Sequence, residues 1–435
     1  MSNNEISEGF KMTELGALLE EWGVVRLGDV TEKTKQKDPR KTPEWKFKYV
    51  DVSSISRGAL KIAECKLCQG KDAPSRAKRL VKNKDVIFAT VRPTLKRLTL
   101  INEEFDGEIC STAFCVLRAT ENILNPLYLF YVVQRDVFID EFEKVQRGAS
   151  YPAITDSDVK NQKIPLPPLP EQHRIAAVLS AVQDAKEKTG AVIAAAKSLK
   201  KSLLRHLFTY GPVPAGAAES VSLTETEIGL VPEGWEIFQT VDVCSLIIDC
   251  PHSTPKFTES GILVVRTSNV RDGKLVLNSP SFTSEEEYKE RIKRGILEEG
   301  DIIFTREAPI GEACLIPSDL KLCLGQRMML LRPDKFLLNG YFLVQAFYSK
   351  QIRENMLVQG KGVTAKHLNV ADVKRLLLPL PPLPTQQKIA HILSTVDKKI
   401  EAEENKKKAL DELFKSLLHN LMTGKVRVNH LEMPQ

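Results

Sequence analysis

The chain has 435 residues, a net charge of +6 and a hydrophobic fraction of 42%, which is enough for two or three domains with apolar cores. No apolar run approaches the ~18–20 residues that cross a bilayer, which excludes an integral membrane protein built from helices. Residues 1–11 lack the basic and then apolar plan of a signal peptide, so we expect a cytoplasmic location.

In the first half of the chain the clearest predicted elements are a strand, a helix and a much longer second helix. Residues 85–91, DVIFATV, form a short β-branched run, which is typical of a strand. Residues 125–145 carry apolar side chains three and four apart, which predicts a helix. The prolines of PLPPLP (165–170) favour an extended polyproline segment. The proline-free stretch 171–209 then predicts a helical rod.

The second half contains the same kinds of elements in the same order. Residues 261–270, GILVVRTSNV, and 300–306, GDIIFTR, are predicted strands. Residues 339–357 have helical periodicity. A second PLPPLP (379–384) precedes a second proline-free rod at 385–424. The last proline of each run can lie in the first turn of its rod, where the missing N–H costs nothing.

The two halves match at an almost fixed offset. TELG at 13–16 matches TEIG at 226–229, an offset of 213, and the two PLPPLP motifs are 214 residues apart. KSLLRHLFT (201–209) and KSLLHNLMT (415–423) are also 214 residues apart. Such a match over some two hundred residues indicates an internal duplication, in which each copy is a globular segment followed by a helical one.

This duplication predicts an α+β fold, with two tandem-duplicated α/β domains separated by two long helices. Apolar stripes on the rods, such as Ile175, Val178 and Val182, are most simply buried if the two rods pack antiparallel, with a pseudo-two-fold axis. In chain order, the expected segments are a first domain at 1–160, a proline run with helix 1 at 161–210, a linker at 211–225, a second domain at 226–375, a proline run with helix 2 at 376–425, and a tail at 426–435.

No catalytic or cofactor-binding pattern is recognisable. No G-x-G-x-x-G follows a predicted strand, and there is no G-x-x-x-x-G-K-[ST] phosphate loop. Every Pro-Pro pair is flanked by Leu, whereas an adenine methyltransferase needs Asn/Asp-Pro-Pro-aromatic. Cys65 and Cys68 form a lone CxxC without a second pair at zinc-site spacing. We therefore expect no catalytic residues, no cofactor and no metal, and a role in binding and assembly.

The chain resembles the specificity subunit of type I restriction–modification enzymes over essentially its full length. The resemblance rests on the two PLPPLP-x-Q motifs (165–172 and 379–386), the rods that follow them and the KSLL ends. RTSNV (266–270) and GDIIFTREAPIGEA (300–313) are similar to this family's target-recognition domains. The resemblance implies two such domains, each reading one half of a bipartite double-stranded DNA site. It also implies that the helices set the gap between the half-sites.

The same resemblance implies partners for the chain. Two modification subunits, which carry S-adenosylmethionine and methylate adenine, are expected to dock on the helices, and restriction subunits join in the full complex. The first copy departs from the family pattern, because YVDVSSI (49–55) and TVRPTLKR (90–97) stand where the second copy has its RTSNV and TREAPIGEA stretches. Such differences are expected if the two domains read different sequences.

The candidate DNA contacts lie in turn-rich and basic segments, two of which (33–48 and 71–97) have a large excess of Lys and Arg. Arg pairs with guanine, Asn and Gln pair with adenine, and Lys and Arg hold phosphates. In the first domain the candidates are Arg57, Arg76, Arg79, Arg92, Lys96, Arg97, Arg147 and Tyr151. In the second they are Arg266, Asn269, Arg271, Arg306, Gln326, Arg327, Lys361, Lys366 and His367. For each of them the alternative is an exposed charge that only keeps the surface solvated.

Two other functions are compatible with parts of the sequence. PLPPLP is also a ligand type for aromatic-grooved peptide-binding domains, which would make the chain a scaffold or adaptor that does not bind DNA. A nuclease or methyltransferase with a diverged site is the other alternative. Salt-dependent binding to duplex DNA distinguishes the adaptor from a DNA reader, and a cofactor-binding assay distinguishes the enzyme.

Overall fold

The computed structural model describes residues 8–56, 58, 60–148, 150–359 and 367–431. The chain forms two compact units. The first unit comprises the chain up to Ala191 together with the residues from Glu404 onward, and the second comprises Val192–Glu403. Each of the two long helices therefore contributes residues to both units.

The first half of the chain is a series of short strands followed by three short helices and one long helix. The strands are β1 Phe10–Thr13, β2 Gly16–Leu19, β3 Gly23–Arg26, β4 Lys46–Val50, β5 Lys66–Gln69, β6 Ala77–Leu80, β7 Val86–Ala89, β8 Leu98–Leu100, β9 Ile109–Ser111, β10 Phe114–Leu117 and β11 Lys163–Leu166. The helices are α1 Pro126–Val132, α2 Asp136–Val145, α3 Asp156–Lys160 and α4 Leu169–Tyr210.

The second half has a similar order of elements and ends in the other long helix. The strands are β12 Leu223–Thr226, β13 Gly229–Pro232, β14 Glu236–Gln239, β15 Cys244–Asp249, β16 Phe257–Thr258, β17 Ile262–Val265, β18 Val270–Arg271, β19 Lys274–Leu275, β20 Ser281–Thr283, β21 Ile302–Thr305, β22 Ala313–Leu315, β23 Leu322–Leu324, β24 Met328–Pro333 and β25 Leu377–Leu380. The helices are α5 Thr240–Val243, α6 Glu285–Arg291, α7 Gly340–Tyr348, α8 Lys350–Gln359, α9 Val370–Lys374 and α10 Leu383–Met422.

The strand pairing confirms the duplication and the mixed α+β class. The hairpin β1–β2 recurs as β12–β13, and the antiparallel pair β3–β11 recurs as β14–β25. The parallel pair β4–β9 recurs as β17–β23, and the antiparallel pair β7–β10 recurs as β21–β24. One difference from the predicted segments is that β12 begins at Leu223, inside the stretch expected to be a linker, because it pairs with β13.

Each proline run is partly a strand, which corrects the expected polyproline segment. Pro165 lies in β11 opposite Val24 of β3, in a sheet of only two strands. Proline is tolerated in such an edge strand because its missing N–H is not needed by a further neighbour. The long helices begin at Leu169 and Leu383, so the last proline of each run lies in the first helical turn as predicted.

Each predicted helix before a proline run is in fact two helices. The segment 125–145 breaks between α1 and α2, where Arg135 has an extended backbone (ψ 139°) and starts α2. The segment 339–357 breaks at Ser349, whose backbone is extended in the same way (ψ 152°). Apolar residues continue at helical spacing across both breaks, so periodicity alone did not reveal them.

The two rods predicted at 171–209 and 385–424 are confirmed as α4, of 42 residues, and α10, of 40 residues. In the first unit, Lys186 of α4 forms an ion pair of 2.8 Å with Asp411 of α10. Near the start of α4, Glu171 pairs at 3.0 Å with Arg427, just beyond the end of α10. Positions that rise along one helix fall along the other, so these segments are antiparallel.

The apolar stripes are buried mainly by the globular domains, and only in part by the opposite rod. Ile175 and Leu179 of α4 are buried in one core with Trp22 and Tyr128 of the first domain. Farther along α4, Val192 and Leu199 are 42% and 52% exposed. The expectation that the two rods bury their stripes wholly against each other is therefore wrong for the middle of α4.

The glutamine of PLPPLP-x-Q explains why the motif is repeated. Gln172 is fully buried, and its amide nitrogen donates to the carbonyls of Pro167 (2.9 Å) and Ile123 (3.0 Å). Its amide oxygen accepts from the backbone N–H of Asn125 (2.8 Å), whose own side chain caps α1. In the second copy the corresponding partners of Gln386 are Pro381, Leu337 and Asn339. The glutamine thus fixes the start of the long helix to the start of the short one.

Replacing this glutamine is expected to destabilise the first unit strongly. Gln172→Leu leaves two carbonyls and one N–H buried without partners, at a cost of about 3 kcal/mol or more. The midpoint of urea unfolding, followed by circular dichroism, measures the loss. Gln183→Leu is the control, because that half-buried side chain donates only to Glu187 on the same helix. Equal midpoints for the two variants would contradict this role of the motif.

Candidate nucleic-acid interface

In the first unit, the loop after β7 presents an arginine stacked on an exposed tyrosine. Arg92 has a left-handed backbone (φ 51°), and its guanidinium lies 4.5 Å from the ring centroid of Tyr151. It also donates to the carbonyl of Ser150 at 3.2 Å. Tyr151 is 68% exposed, which is a large exposed fraction for an aromatic side chain. A cation and an aromatic face side by side form a surface suited to phosphates and bases.

Arg147 lies near this pair. Its backbone forms a β-bridge with Ala153, two residues after Tyr151. Its side chain is 71% exposed and lies 3.9 Å from Asp158. Hydrogen bonds from the backbone and hydroxyl of Thr155, and then the charge of Arg147, keep the pKa of Asp158 below its usual value. The loop after β7 and the loop after α2 therefore present Arg92, Arg147 and Tyr151 next to each other.

The remaining candidates of the first domain are placed differently. Arg79 is mostly buried and paired with Asp156, and Arg97 donates to the carbonyl of Val52 at 2.6 Å, so both stabilise the fold. Lys96 pairs with Asp136 and keeps 40% of its side chain exposed. Arg76 is exposed just before β6. Arg57 lies outside the described residues.

The second unit builds the equivalent loop with the same backbone hydrogen bonds. In the first unit, Thr90 N–H donates to Ala113 and the carbonyl of Thr90 accepts from Ile154. In the second unit Arg306 takes the place of Thr90, with its N–H donating to Arg327 and its carbonyl accepting from Leu368. The left-handed position occupied by Arg92 is occupied here by Ala308 (φ 49°). The two loops thus share a scaffold and differ in the side chain at the tip.

Four predicted residues of the second domain meet at this loop. Arg306 is turned inward and pairs with Asp249 at 3.1 Å, so it stabilises the loop. Arg327 is 54% exposed, with its Nε 3.4 Å from Glu307. Gln326 donates a hydrogen bond of 2.5 Å to the carbonyl of His252. His367 forms a β-bridge with Glu307. Lys361 and Lys366 lie outside the described residues.

The RTSNV stretch forms a tight turn after β17. Asn269 is only 4% exposed; its oxygen accepts from Arg266 N–H and its nitrogen donates to Val276, both at 2.9 Å. The equivalent turn in the first unit is closed by Ser54, whose hydroxyl accepts from Asp51 N–H. Asn269 thus holds a turn common to both copies, which argues against its predicted role as a base reader.

The two arginines that flank this turn remain accessible. Arg266 is exposed, and its guanidinium lies 5.6 Å from the ring centroid of Phe257, itself 48% exposed. Arg271 is also exposed and donates to the carbonyl of Val270 at 3.0 Å. Arg266 and Phe257 therefore form a second exposed pair of a cation and an aromatic ring.

Two aromatic side chains that lie beside cations are absent from the candidates chosen by sequence. Neither Phe257 nor Trp45 was included, although Lys37 lies 3.5 Å from the Trp45 ring centroid. Trp45 falls within the basic stretch 33–48, so aromatic residues interleaved with cations were the available signal. His252, 72% exposed beside Asp249, is also not among those candidates.

The described residues contain no group of three or more His, Cys, Asp or Glu side chains arranged to hold a metal ion. None of the helices in the described ranges is long and apolar enough to cross a membrane. All eight cysteines are free thiols, five of them buried. Burial raises the pKa of the Cys115 thiol to about 12 and that of Cys323 to about 11, which keeps both unreactive.

Comparison with known proteins identifies the family. The model of the type I restriction modification DNA specificity domain matches residues 19–194 and 232–412. Two type I restriction enzyme specificity subunits of Methanocaldococcus jannaschii, MjaX and MjaVIII, are 25% and 26% identical to this chain; each alignment covers at least 97% of this chain and 97% of the relative.

Solved structures have the same fold. A chain from a structure on complex assembly and conformational transition of the type I R-M system has a TM-score of 0.57 and 28% identity, covering 94% of this chain and 99% of that chain. The type I restriction–modification S subunit from M. genitalium has a TM-score of 0.58 at 16% identity, covering 92% and 96%. The family model matches most of the chain in two copies, and the chain therefore belongs to the type I restriction–modification DNA specificity family.

Proposed function

We propose that this chain is the sequence-specific DNA-binding subunit of a type I restriction–modification complex, and that each domain reads one half of a bipartite site. One observation carries the proposal: equivalent loops on one backbone scaffold present different side chains. Arg92 stands where the second copy has Ala308, and Asp51 stands where it has Arg266. Two domains that read different half-sites need a common frame and different contacts.

We divide the candidate contacts by their environment. Nine exposed residues are proposed to face DNA: Arg76, Arg92, Lys96, Arg147, Tyr151, Phe257, Arg266, Arg271 and Arg327. Arg79, Arg97, Asn269 and Arg306 are proposed to hold the reading loops in shape, because their polar groups are used within the protein. The first group is expected to control sequence choice and the second to control stability.

We propose that the long helices set the gap between the half-sites and bind two modification subunits, with restriction subunits joining in the full complex. Apolar side chains left exposed on the helices suit such docking: Val192 and Leu199 on α4, and Leu413 on α10, 45% exposed. The chain is a non-catalytic subunit, so the methyl donor belongs to its partner. A cytoplasmic location goes with this role.

The adaptor alternative is not supported. The prolines of the first motif are used by the fold itself. Pro165 pairs in β11, the carbonyl of Pro167 accepts a hydrogen bond from Gln172, and Pro170 lies in the first turn of α4. A peptide ligand of an aromatic groove needs its prolines free.

Exchange of one domain tests the proposal. Replacing residues 13–160 with the equivalent domain of a relative is expected to change one half of the methylated site and leave the other half intact. The replaced segment contains Arg92, Arg147 and Tyr151, and none of the reading loops of the second unit. Methylome sequencing, with the modification subunit co-expressed, reads out both halves. A change in both halves would show that the domains do not read independently.

A smaller change tests the reading loop. Arg92→Ala is expected to weaken binding to the specific duplex by roughly tenfold, about 1–3 kcal/mol, and to relax the preference at one position if Arg92 contacts a base. Lys188→Ala is the control, an exposed cation on α4 outside the loop. Fluorescence anisotropy at several salt concentrations separates base from phosphate contacts, since losing a phosphate contact lowers the salt slope by about one.

A further inference from the structure

Arg135, at the start of α2, is a buried cation without a counter-charge. The residue is 8% exposed. Burial is the main influence on its guanidinium and lowers the pKa from the usual value. Among the residues that the structure describes, no carboxylate pairs with it. A buried guanidinium normally has such a partner, because an unpaired charge in the interior is costly.

This side chain faces a cavity of about 580 Å³ within the first unit. Other basic side chains line the same cavity: Lys96, Lys186 of α4, and Lys415 and His419 of α10. The Nε2 of His419 also lies 3.4 Å from the Nζ of Lys425. Burial, followed by the charges of Lys425 and Arg135, lowers the pKa of His419. His419 therefore carries a neutral imidazole near neutral pH, which can still donate a hydrogen bond to an anion beside Arg135 and Lys415.

The carboxylates near Arg135 are already neutralised. Two line this cavity and two line the smaller neighbouring cavity that Arg135 also borders. The four ion pairs are Asp136 with Lys96, Asp411 with Lys186, Glu14 with Lys163, and Glu141 with Lys144. Arg135, Lys415 and His419 are left without an acidic partner in these cavities.

Two further features favour an anion here. The cavity meets the first turn of α2, a helix of 10 residues, where the helix dipole and unpaired N–H groups attract negative charge. In the second unit, the position equivalent to Arg135 is Ser349, 214 residues later, which is buried but uncharged. The buried arginine thus belongs to the first copy alone, although the helix break is common to both.

We propose that this cavity is a binding site for a free oxyanion of the phosphate class, with Arg135 as its main ligand and His419 and Lys415 at its rim. Anion binding by Arg135 does not require DNA, although Lys96, proposed above to face DNA, lines the edge of the same cavity. A free ion fits better than a backbone phosphate, because Arg135 is only 8% exposed and lines a concave site, whereas duplex phosphates lie on a convex surface. Thr94 and Leu95 of the Arg92 loop line the same cavity, so the bound anion contacts the back of that loop.

The test uses the full-length chain and inorganic phosphate as the probe, at constant ionic strength. Isothermal titration calorimetry is expected to give one saturable site. Arg135→Gln is expected to weaken it roughly tenfold or more, because a charge-assisted contact is lost. Arg26→Gln, an exposed arginine on β3, is expected to leave it unchanged. As a check on folding, Arg135→Met without phosphate is expected to unfold at the same or a higher temperature than the wild type, since a buried unpaired charge is removed.

Several results would overturn the proposal. One is the absence of saturable phosphate binding at millimolar concentration, and another is equal binding by the wild type and Arg135→Gln. A duplex that displaces phosphate, together with a lower salt slope for DNA binding by Arg135→Gln, would instead assign the site to the DNA backbone. A marked fall in the unfolding temperature of phosphate-free Arg135→Met would mean that Arg135 already has a stabilising partner.

Discussion

A fragment that ends at Gly211 is expected to form a homodimer. It contains the first domain and α4 but lacks Leu421 and Met422, which are fully buried in the first unit. Losing two such side chains costs about 2–5 kcal/mol each, a large part of the 5–15 kcal/mol that stabilises a typical domain. The KSLL duplication offers a replacement, because Leu207 and Phe208 of a second fragment correspond to Leu421 and Met422. The dimer should then read a palindrome of the first half-site.

Light scattering of the fragment measures its mass, and methylation with the modification subunit gives its site. Leu207→Asp combined with Phe208→Asp is expected to abolish the dimer, because both side chains must enter the core of the other copy. Lys201→Asp, an exposed position on the same helix, is the control and should still dimerise. A stable, folded monomer of the unsubstituted fragment would mean that the end of α10 is dispensable for the first unit.

The duplication and the long helices could be predicted from the sequence because they follow local rules. A proline in the first turn marked the start of each helix, and a long proline-free stretch with apolar residues at helical spacing marked its length. The repeat offset then gave the tandem architecture without any three-dimensional information. The buried role of Gln172 was not visible, because its partners lie on α1 and the preceding loop, 47 and 49 residues away in the chain.

The candidate site was only partly predictable for a similar reason. Residue type and segment pointed to Arg92, Arg147 and Tyr151, which lie on two adjacent exposed loops. The same criteria also selected Arg306 and Asn269, whose polar groups are used inside the second unit. Whether an arginine faces solvent or an internal carboxylate depends on tertiary contacts between residues that are distant in the chain. Arg306 and Asp249, for example, are 57 positions apart.

Insertion of four residues into both long helices, after Gly190 and after Glu403, is expected to change the gap between unchanged half-sites. Four residues add ~6 Å and turn each helix by ~40°, at 1.5 Å and 3.6 residues per turn. DNA rises ~3.4 Å per base pair, so the lengthening corresponds to one or two base pairs. The point after Gly190 lies where the compact units divide, and a Cβ there meets nothing within 4 Å. Inserting near Leu207 is unsuitable, because that residue is 2% exposed in the core of the second unit.

Insertion into α4 alone is the informative control. Lys186 pairs with Asp411 in the first unit, and Lys200 pairs with Asp397 in the second. The residue numbers of each pair have the same sum, so both pairs follow one antiparallel register. A single insertion shifts one pair relative to the other, so we expect loss of DNA binding or of complex assembly. The paired insertion restores the common register and should keep both half-sites. Methylome sequencing decides between the outcomes: new half-site bases at the original gap would mean that the helices take part in reading the sequence and do not measure distance.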